Sequence, residues 1–479
     1  MTRRLSRIAV GINHAQDRQP LLATHIGTTC RPSRQGLPRD APKMNPCPLN
    51  HTFLTSGRVV SDLRPTGSSA TIVLLCSHRS FVGTQRSSLM DNPLPTLPVL
   101  RSLRTRTSLY FSASSRSQPR AYAVFHRRLL PALYTDPLDE YWALVHGVVL
   151  WDIGTEIPIE VRGPDALALL DWATTRDLTR CPVGECRYVF VTDQHGGIVN
   201  DPVVVRLAED IFWLMPSDSD LLLWLRALAA ATQLDVTIRP VDTAPLQIRG
   251  PRAREVIAAL AGPSLAELPY YRVACTRIDE FDVVVTRTGF SGELGYELMP
   301  LNGSHSGPRF WEHLLTVGKP FGLRVAAPSH IRRIEAGIFS YGIDITLETN
   351  PYELTGYEWM VNLRKPQFVG REALIQIASE GPQCKVVGFI LTGDPPTDLR
   401  DGLLLEPLPV RLPGGREPIG RVTSACWSPQ VGRVIGFARV PFSHAQPGSE
   451  LEVLTAEGWR AARVVPIPFV DPEKRRVKA

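Results

Sequence analysis

Alternating apolar and polar positions predict two strands around one glycine-rich turn. Residues 281–285 alternate in this way, and residues 296–299 form a second such run. Between the two runs, Gly289, Gly292 and Gly295 indicate a tight turn with a close backbone approach. The pattern therefore predicts a β-hairpin that holds Glu297 at a fixed place. A carboxylate there suits the binding of two N–H groups of a flat heterocycle, although a surface Glu on a simple hairpin fits the same pattern.

A second hairpin is predicted over residues 187–205, where two apolar runs flank the turn Gln194-His195-Gly196-Gly197. Tyr188 and Asp201 lie on opposite arms, so both side chains can reach one pocket. The alternatives are a half-buried strand aromatic for Tyr188 and a carboxylate in a turn network for Asp201. His195 is a possible catalytic group, and a solvated turn histidine is its alternative.

The remaining periodic segments predict an α+β body followed by an all-β region. Strands are predicted at residues 121–125, 148–152, 157–161, 211–215, 236–239 and 246–248, and helices at 139–146, 166–173, 218–231, 255–260 and 310–317. The strand–Arg-Gly-Pro–helix order at Gly163 and again at Gly250 suggests two related halves. From about residue 384, strands at 386–391, 419–425, 434–440 and 451–454 are separated by Gly and Pro.

Residues 1–98 differ from the rest, because they are rich in Arg, Ser, Thr and Pro and contain no Glu. Three interpretations are open: a disordered tail, an organellar transit peptide, or translation that really begins at Met90, which we favour. Residues 1–120 hold 17 Lys and Arg against 4 Asp and Glu, a charge of +13, so the net +6 leaves −7 for the remainder. The basic balance is therefore no sign of nucleic-acid binding by the body.

The lengths of the apolar runs and the spacing of the cysteines indicate the cellular environment of the protein. The sequence contains no apolar run of the length that spans a bilayer. Its 8 cysteines are scattered, and Cys181 and Cys186 have no second pair or nearby His, which argues against zinc and for a reducing compartment. We expect a cytoplasmic protein, or a mitochondrial one if the N-terminal extension is a true transit peptide.

Residues 287–298, RTGFSGELGYEL, closely resemble the signature of the tetrahydrofolate-dependent aminomethyltransferase superfamily, which includes the T-protein of glycine cleavage. Similar motifs follow in order. Residues 326–337 resemble a helix of the family, with Gly337 at its C′ position. YGID follows at residue 341, KPQFVGREAL at 365 and GRVTSACWSP at 420, where Ala425 replaces the usual Gly. The resemblance covers residues from about 99 to 470. It implies a T-protein-like multi-domain catalytic body with antiparallel sheets at residues 99–380 and a C-terminal β-barrel at 381–479.

The same resemblance implies tetrahydrofolate as a co-substrate, with no metal. Glu297 and Gln247 would hydrogen-bond the pterin ring, Tyr188, Asp201 and Val203 would line the folate site, and Asp201 would be the catalytic carboxylate. The anionic folate tail requires a basic contact, for which Arg287, Arg333 and Lys365 are candidates. Each of these three could instead be a structural ion-pair partner.

Two departures from the T-protein pattern favour the demethylase branch of the superfamily. This chain has Asn200-Asp201-Pro202, as demethylases do, where T-proteins carry two acids. It also has Pro328-Ser329-His330 where T-proteins usually have an Ala-Arg-Asp run whose Arg helps to hold folate and the aminomethyl carrier. The leading prediction is a demethylase that moves a methyl group from a small S-methyl or O-methyl donor to tetrahydrofolate.

Two alternatives stay open. The first is the aminomethyltransferase of glycine cleavage, which would have a lipoyl carrier protein as partner. The second is a non-catalytic folate-binding protein of iron–sulfur cluster maintenance, although residues 365–372 lack the cysteine of that branch. No nucleic-acid or membrane partner is expected.

Overall fold

A computed structural model describes residues 102–399, 404 and 406–479. The predictions for residues 1–98, including a start at Met90, lie outside this part of the chain. Within it, no helix is long and apolar enough to cross a membrane.

The elements alternate between strands and helices up to about residue 380 and are almost entirely strands afterwards. In chain order the strands are β1 Arg106–Thr107, β2 Ala121–Phe125, β3 Arg128–Leu133, β4 Val149–Asp152, β5 Ile159–Arg162, β6 Cys186–Tyr188, β7 Val191–Thr192, β8 Ile198–Asn200, β9 Val203–Ala208, β10 Ile211–Met215, β11 Thr237–Pro240, β12 Leu246–Arg249, β13 Val273–Ile278, β14 Phe281–Thr286, β15 Gly295–Pro300, β16 Arg324–Val325, β17 Cys384–Leu391, β18 Leu408–Arg411, β19 Gly420–Ser428, β20 Arg433–Pro441, β21 Glu450–Thr455 and β22 Gly458–Val465. The helices are α1 Phe111–Ser114, α2 Pro137–His146, α3 Ala166–Ala173, α4 Leu221–Thr232, α5 Ala253–Ala261, α6 Pro263–Ala266, α7 Gly303–Gly318, α8 His330–Glu335, α9 Arg371–Glu380 and α10 Arg475–Lys478.

Two main sheets form the body. One has the order β11-β5-β10-β9-β6 and the other the order β13-β14-β15-β12-β4-β16, and their pairings are antiparallel except for β16 with β4. Helices α3 and α4 cover an apolar core on the first sheet, and α5 and α7 cover one on the second. A β1-β3-β2 sheet and the short β7-β8 pair complete the body. The α+β body predicted from the periodicity is therefore confirmed.

The repeated strand–Gly-Pro–helix element has a steric reason in both halves. Gly163 follows β5 with a φ of +141°, and Gly250 follows β12 with a φ of +117°. A Cβ would lie 2.4 Å from the carbonyl oxygen of Asp235 at the first position and 2.4 Å from that of Gly147 at the second. A side chain fits neither position, so the chain can turn from strand to helix there only with glycine.

Two predicted helices have different bounds in the structure. Helix α7 begins at Gly303, well before the predicted start at residue 310. The sequence pattern missed its first turns because they bury small residues such as Gly307, which packs against Tyr110 and gives no apolar signal. Helix α8 begins only at His330, not at residue 326. The Ser329 hydroxyl caps it by accepting the N–H of Arg332 at 3.2 Å. Gly337 follows the helix with a φ of +68°, as its predicted C′ position requires.

The C-terminal region is a closed antiparallel barrel of order β17-β20-β19-β18-β21-β22. The proposed boundary at residue 380 falls between α9 and β17. The sequence pattern missed β18 and β22, since a proline interrupts the first and two arginines weaken the alternation of the second. Ala425, which replaces the usual Gly, lies inside β19 and is not among the residues with positive φ, so it fits without strain.

A buried polar cluster joins the body to the barrel. Arg333 of α8 donates to Asp344 Oδ2 at 2.8 Å and to Ser424 Oγ of β19 at 2.9 Å. The other oxygen of Asp344 accepts the hydroxyls of Thr423 and Ser424, both at 2.6 Å. Because these groups are buried, each hydrogen bond satisfies polar atoms that would otherwise lie unpaired in the protein interior.

Candidate functional site

Four neighbouring strands of the six-stranded sheet place one row of side chains on the same face. In the register, Thr286 of β14 lies opposite Glu297 of β15, Glu297 opposite Gln247 of β12, and Gln247 opposite Trp151 of β4. Directly opposed residues of antiparallel strands point to the same side of a sheet. The sheet therefore brings Glu297 and Gln247 together, although 50 residues separate them.

Glu297 is 6% exposed and is hydrogen-bonded through both oxygens. Its Oε1 accepts from Gln247 Nε2 at 2.8 Å and from Arg249 Nη2 at 3.1 Å. Its Oε2 accepts from Thr288 Oγ1 at 2.7 Å and lies 3.1 Å from Thr286 Oγ1. Arg249 also donates to Gln247 Oε1 at 3.1 Å. The carboxylate is thus held as a fixed charge by one cation, one amide and two hydroxyls.

The glycines of the turn make room for Arg249. A Cβ on Gly289 would lie 1.5 Å from Arg249 Nη2, and one on Gly295 would lie 2.3 Å from its Cδ. The predicted close approach is therefore confirmed, and the approaching group is this guanidinium. Burial lowers the pKa of Arg249 to about 10, while the adjacent charge of Glu297 opposes this shift, so the side chain stays cationic near neutral pH.

The network keeps some hydrogen-bonding capacity. The hydroxyls of Thr286 and Thr288 lie 2.6 Å apart and have one hydrogen each, so they cannot satisfy that contact and both contacts to Glu297 at once. Gln247 likewise retains one amide hydrogen beyond its bond to Glu297 and one lone pair beyond its bond to Arg249. One edge of the Glu297–Gln247 pair can therefore still bind a planar donor–acceptor group.

Tyr188 and Asp201 meet as the second hairpin predicts. The Tyr188 hydroxyl donates to Asp201 Oδ2 at 2.7 Å, and Val203 lies opposite Tyr188 in the register of β6 with β9. Asp201 is 7% exposed, and its Oδ1 is buried without a hydrogen-bond partner. Burial raises the pKa of Asp201 to about 6, and the side chains of Ser217 and Tyr188 limit that rise. The carboxylate is thus ionised near neutral pH with one oxygen unpartnered.

Glu156, which the sequence reasoning missed, lies in the loop between β4 and β5. It is half-buried, and its side chain makes no hydrogen bond or ion pair within the described residues. Burial is the main cause that raises its pKa to about 8, and the nearby charges of Glu297 and Asp201 contribute to that rise. These couplings place Glu156 near both halves of the site. An isolated acid between Ile153 and Ile157 was the only signal in the sequence.

Four tyrosines lie near the two carboxylates. The rings of Tyr188 and Tyr357 lie 6.0 Å apart, and those of Tyr270 and Tyr271 lie 4.7 Å apart. Burial raises the pKa of each tyrosine, to which Asp201 contributes at Tyr188 and Tyr357, and Glu297 at Tyr270. Neutral aromatic rings therefore lie close to both Asp201 and Glu297.

The three basic candidates for the folate tail have other partners in the structure. Arg287 is 1% exposed and donates to the carbonyl oxygens of Val477 at 2.9 Å and Ala479 at 2.8 Å. Arg333 lies in the cluster with Asp344 described above. Lys365 is buried, with Nζ 3.1 Å from Asp171 Oδ1. These placements favour the structural alternative for all three side chains.

Two histidines of the predicted motifs also have defined surroundings. His195 is exposed at its turn, which favours the solvated alternative. His330 begins α8, where burial and the charge of Arg333 lower its pKa to about 3. It is therefore neutral at physiological pH, and the Pro328-Ser329-His330 segment supplies no cation to a ligand.

Comparison with protein families gives two matches in tandem. The GCVT N-terminal domain matches residues 117–365, and the glycine cleavage T-protein C-terminal barrel domain matches residues 385–471. Together they cover the body and the barrel described above.

Individual relatives agree with these matches. A dimethylsulfoniopropionate demethylase from Ruegeria pomeroyi is 32% identical over 366 residues, which cover 76% of this chain and 98% of that protein. An aminomethyltransferase from Symbiobacterium thermophilum is 31% identical over 359 residues, covering 72% and 92% of the two chains. The crystal structure of aminomethyltransferase T from Bartonella henselae has a TM-score of 0.67 at 24% identity, covering 77% of this chain and 98% of that one, and so shares its fold.

Proposed function

This chain belongs to the glycine cleavage T-protein family of one-carbon transferases, and from that premise we propose that it is a tetrahydrofolate-dependent demethylase. Its substrate would be a small S-methyl or O-methyl donor, its product 5-methyltetrahydrofolate, and its compartment the cytoplasm. The observation that carries the proposal is the single acid at the Asn200-Asp201-Pro202 element. Asn200 is not available to a ligand, because its amide donates to Ser217 O at 2.7 Å and to Ser219 Oγ at 2.8 Å.

The residues of the site fit a folate. The free edge of the Glu297–Gln247 pair matches the donor–acceptor edge of a pterin ring, and Arg249 keeps Glu297 charged. The tyrosine walls are flat and apolar, which suits an aromatic ligand. When bound, the folate supplies a ring nitrogen as the nucleophile.

The protein's contribution to such a transfer is positional and electrostatic. Gln247 and Glu297 fix the pterin edge, which orients the reactive nitrogen toward the donor methyl group. The unpartnered Oδ1 of Asp201 can accept a proton or stabilise positive charge at the reacting centre. Tyr188 holds the other oxygen and so fixes the direction of Oδ1. Burial of both groups excludes water, which strengthens these interactions.

The aminomethyltransferase of glycine cleavage is the alternative, since such enzymes match this chain almost as well as the demethylase does. In that reaction the donor would be an aminomethyl group on a lipoyl carrier protein. The neutral His330 and the capping role of Ser329 weaken this alternative, because they leave no cation where T-proteins carry an Arg.

The test is a pair of assays on the full chain with tetrahydrofolate. One follows 5-methyltetrahydrofolate with sulfonium, methylammonium and methoxyaryl donors, and the other follows methylenetetrahydrofolate with the aminomethyl-lipoyl carrier. The expected result is turnover of a methyl donor that Asp201→Asn lowers strongly. Robust turnover of the carrier with no methyl donor accepted would sink the demethylase proposal.

A further inference from the structure

The three-stranded sheet at the start of the described residues has an open edge. Its order is β1-β3-β2, so among those residues β2 pairs only with β3. Residues 121–124 are exposed, and Val124 is 54% exposed. The strand contains no charged residue and no proline, and its register shifts only between its first two residues. Natural edge strands usually carry charges or prolines that prevent pairing with another chain. The edge of β2 is therefore available to a further strand.

The hairpin geometry identifies the backbone groups of β2 that face outward. Residues 126–127 form a two-residue loop with positive φ at both positions, and Phe125 pairs with Arg128 across it. In such a hairpin the pair that closes the loop is hydrogen-bonded, and bonded and non-bonded pairs then alternate. The N–H and C=O groups of Tyr122 and Val124 therefore point away from β3. No hydrogen bond within the described part of the chain occupies them.

Four arginines of this sheet and its flanks have no acidic partner among the described residues. Arg106 of β1 lies directly opposite Arg128 of β3 in the register, an arrangement of like charges that destabilises a sheet. The guanidinium groups of Arg120 and Arg128 donate only to backbone carbonyl oxygens, at 3.2 and 2.8 Å. The side chains of Arg104 and Arg106 are exposed and make no hydrogen bond or ion pair with a described residue. An anionic partner would offset this concentration of positive charge.

The charge flanks the open strand at both ends. Arg120 comes directly before β2, and Arg128 comes directly after its loop. The loop is fixed to the body, since the His126 N–H donates to a carboxylate oxygen there at 2.9 Å. Arg127 differs from the other four arginines, because its Nη2 lies 3.5 Å from an oxygen of the exposed Asp220. The sheet thus offers a preformed, uncharged strand edge between two basic ends.

We propose that β2 binds an extended segment of a partner protein as an added strand, and that this segment has an uncharged core between acidic residues. Backbone hydrogen bonds to Tyr122 and Val124 would hold the core, as in other cases of strand addition. Carboxylates at the ends would pair with the arginines. A second copy of the chain fits less well, because antiparallel pairing of two β2 strands would bring their basic ends together. The inference uses no residue of the candidate folate site and does not rest on the proposed function.

The experiment measures binding of a labelled synthetic peptide, DEVTVTVED, to the full chain by fluorescence anisotropy. Val124→Pro removes one outward N–H and no bond of the β2–β3 ladder, so it should weaken binding by roughly two- to tenfold. Val124→Thr keeps that N–H and is its matched control. Arg106→Gln should weaken binding by roughly two- to fivefold, the range of exposed ion pairs. Arg433→Gln, at an exposed position of the barrel strand β20, is the control for charge.

Two further measurements separate strand addition from simple charge attraction. A peptide with proline in its core and the same acidic ends should bind the wild type at least roughly fivefold more weakly, because it cannot form the ladder. This comparison needs no change in the protein. Arg106→Gln should not lower the melting temperature, since it relieves the contact between like charges.

The remaining outcomes overturn the proposal. The first is that the wild type does not bind the peptide. The second is binding that Val124→Pro and Arg106→Gln both leave unchanged, which would place the peptide elsewhere, for example on the basic residues 1–101. The third is equal binding of the two peptides, which would show charge attraction without an added strand. The fourth is binding of phosphatidylserine vesicles, but not of the peptide, in a manner that Arg106→Gln weakens; the sheet would then bind a membrane surface.

Discussion

The two buried carboxylates of the candidate site, Glu297 and Asp201, have opposite hydrogen-bonding surroundings. Glu297 and Asp201 are almost equally buried, at 6% and 7% exposure. Glu297 has a cation, an amide and hydroxyls around both oxygens, whereas Asp201 has one phenol and one bare oxygen. The pKa of Asp201 is raised to about 6 as a result of burial. The comparison suggests that the paired carboxylate serves recognition and the unpaired one serves chemistry.

The largest effect is expected from Asp201→Asn. Loss of a positioned charged group should lower the rate of methyl transfer by about 10²- to 10⁴-fold, the usual range for such groups. Binding of tetrahydrofolate should change little, since Glu297 and Gln247 are untouched. Single-turnover kinetics and calorimetry measure the two quantities. An equal loss of methyl-transfer rate and of tetrahydrofolate affinity would show that Asp201 and Glu297 do not have separate roles.

The same variant has a stability signature with a defined sign. The pKa of Asp201 is raised in the folded protein, so its ionisation destabilises the fold progressively as the pH rises from about 4 to 6. Asp201→Asn should therefore be more stable than wild type at pH 8, by up to about 3 kcal/mol, and no more stable at pH 4. Thermal melts at the two pH values test this. A variant that melts at a lower temperature than wild type at pH 8 would contradict the conclusion that the ionised Asp201 destabilises the fold.

Glu297→Ala should mainly weaken folate binding. Removing a charged hydrogen-bond acceptor should weaken binding of tetrahydrofolate by roughly 1.5–3 kcal/mol. It also leaves the buried Arg249 without its ion-pair partner, so the melting temperature should fall as well. Calorimetry well below the melting temperature separates the two effects. Glu297→Gln retains an acceptor and should be milder, and the exposed Glu417→Ala is the matched control.

Glu156→Gln tests whether Glu156, which like Asp201 Oδ1 has no hydrogen-bond partner within the described residues, contacts the methyl donor. Because burial raises the pKa of Glu156 to about 8, the wild type should bind a cationic donor more tightly as the pH rises through that value. The Gln variant should lose this dependence, a change of roughly tenfold in KM for one charge-assisted contact. The measurement is KM between pH 6.5 and 9. An unchanged profile would remove Glu156 from the donor site.

The smallest effect is expected from Tyr188→Phe. Its hydroxyl lowers the pKa of Asp201 by hydrogen bonding, so the acidic limb of the kcat/KM profile should move upward from about 6. A shift of roughly one pKa unit corresponds to one such bond. A downward shift would mean that the bond stabilises the protonated form of Asp201 instead.

Local sequence patterns predicted the elements that bring the site together. The hairpins at residues 187–205 and 281–299 alternate clearly and contain glycine turns, so the meeting of Tyr188 with Asp201 followed from the chain alone. The pairing of Gln247 with Glu297 could be expected only through the family resemblance, because it depends on the order of strands in a sheet.

The sequence could not show which charged residues are buried. Arg287 and Lys365 stand in recognisable motifs, yet each binds backbone carbonyl oxygens in the interior, a role that leaves no periodic signal. Arg176 and Arg180 stand in no motif, yet in the structure both line one cavity together with Arg187 and Trp359. Glu156 is similar, since its importance comes from neighbours more than 40 residues away.

The Arg333–Asp344–Ser424 cluster limits how this protein can change over evolution. The arginine and the aspartate come from the body, whereas the serine comes from β19 of the barrel. A barrel exchanged from another protein would leave a buried charge short of a partner unless it had a hydroxyl at the same position. The two regions are therefore expected to be inherited together, and chimeras with a foreign barrel should fold only when that serine is retained.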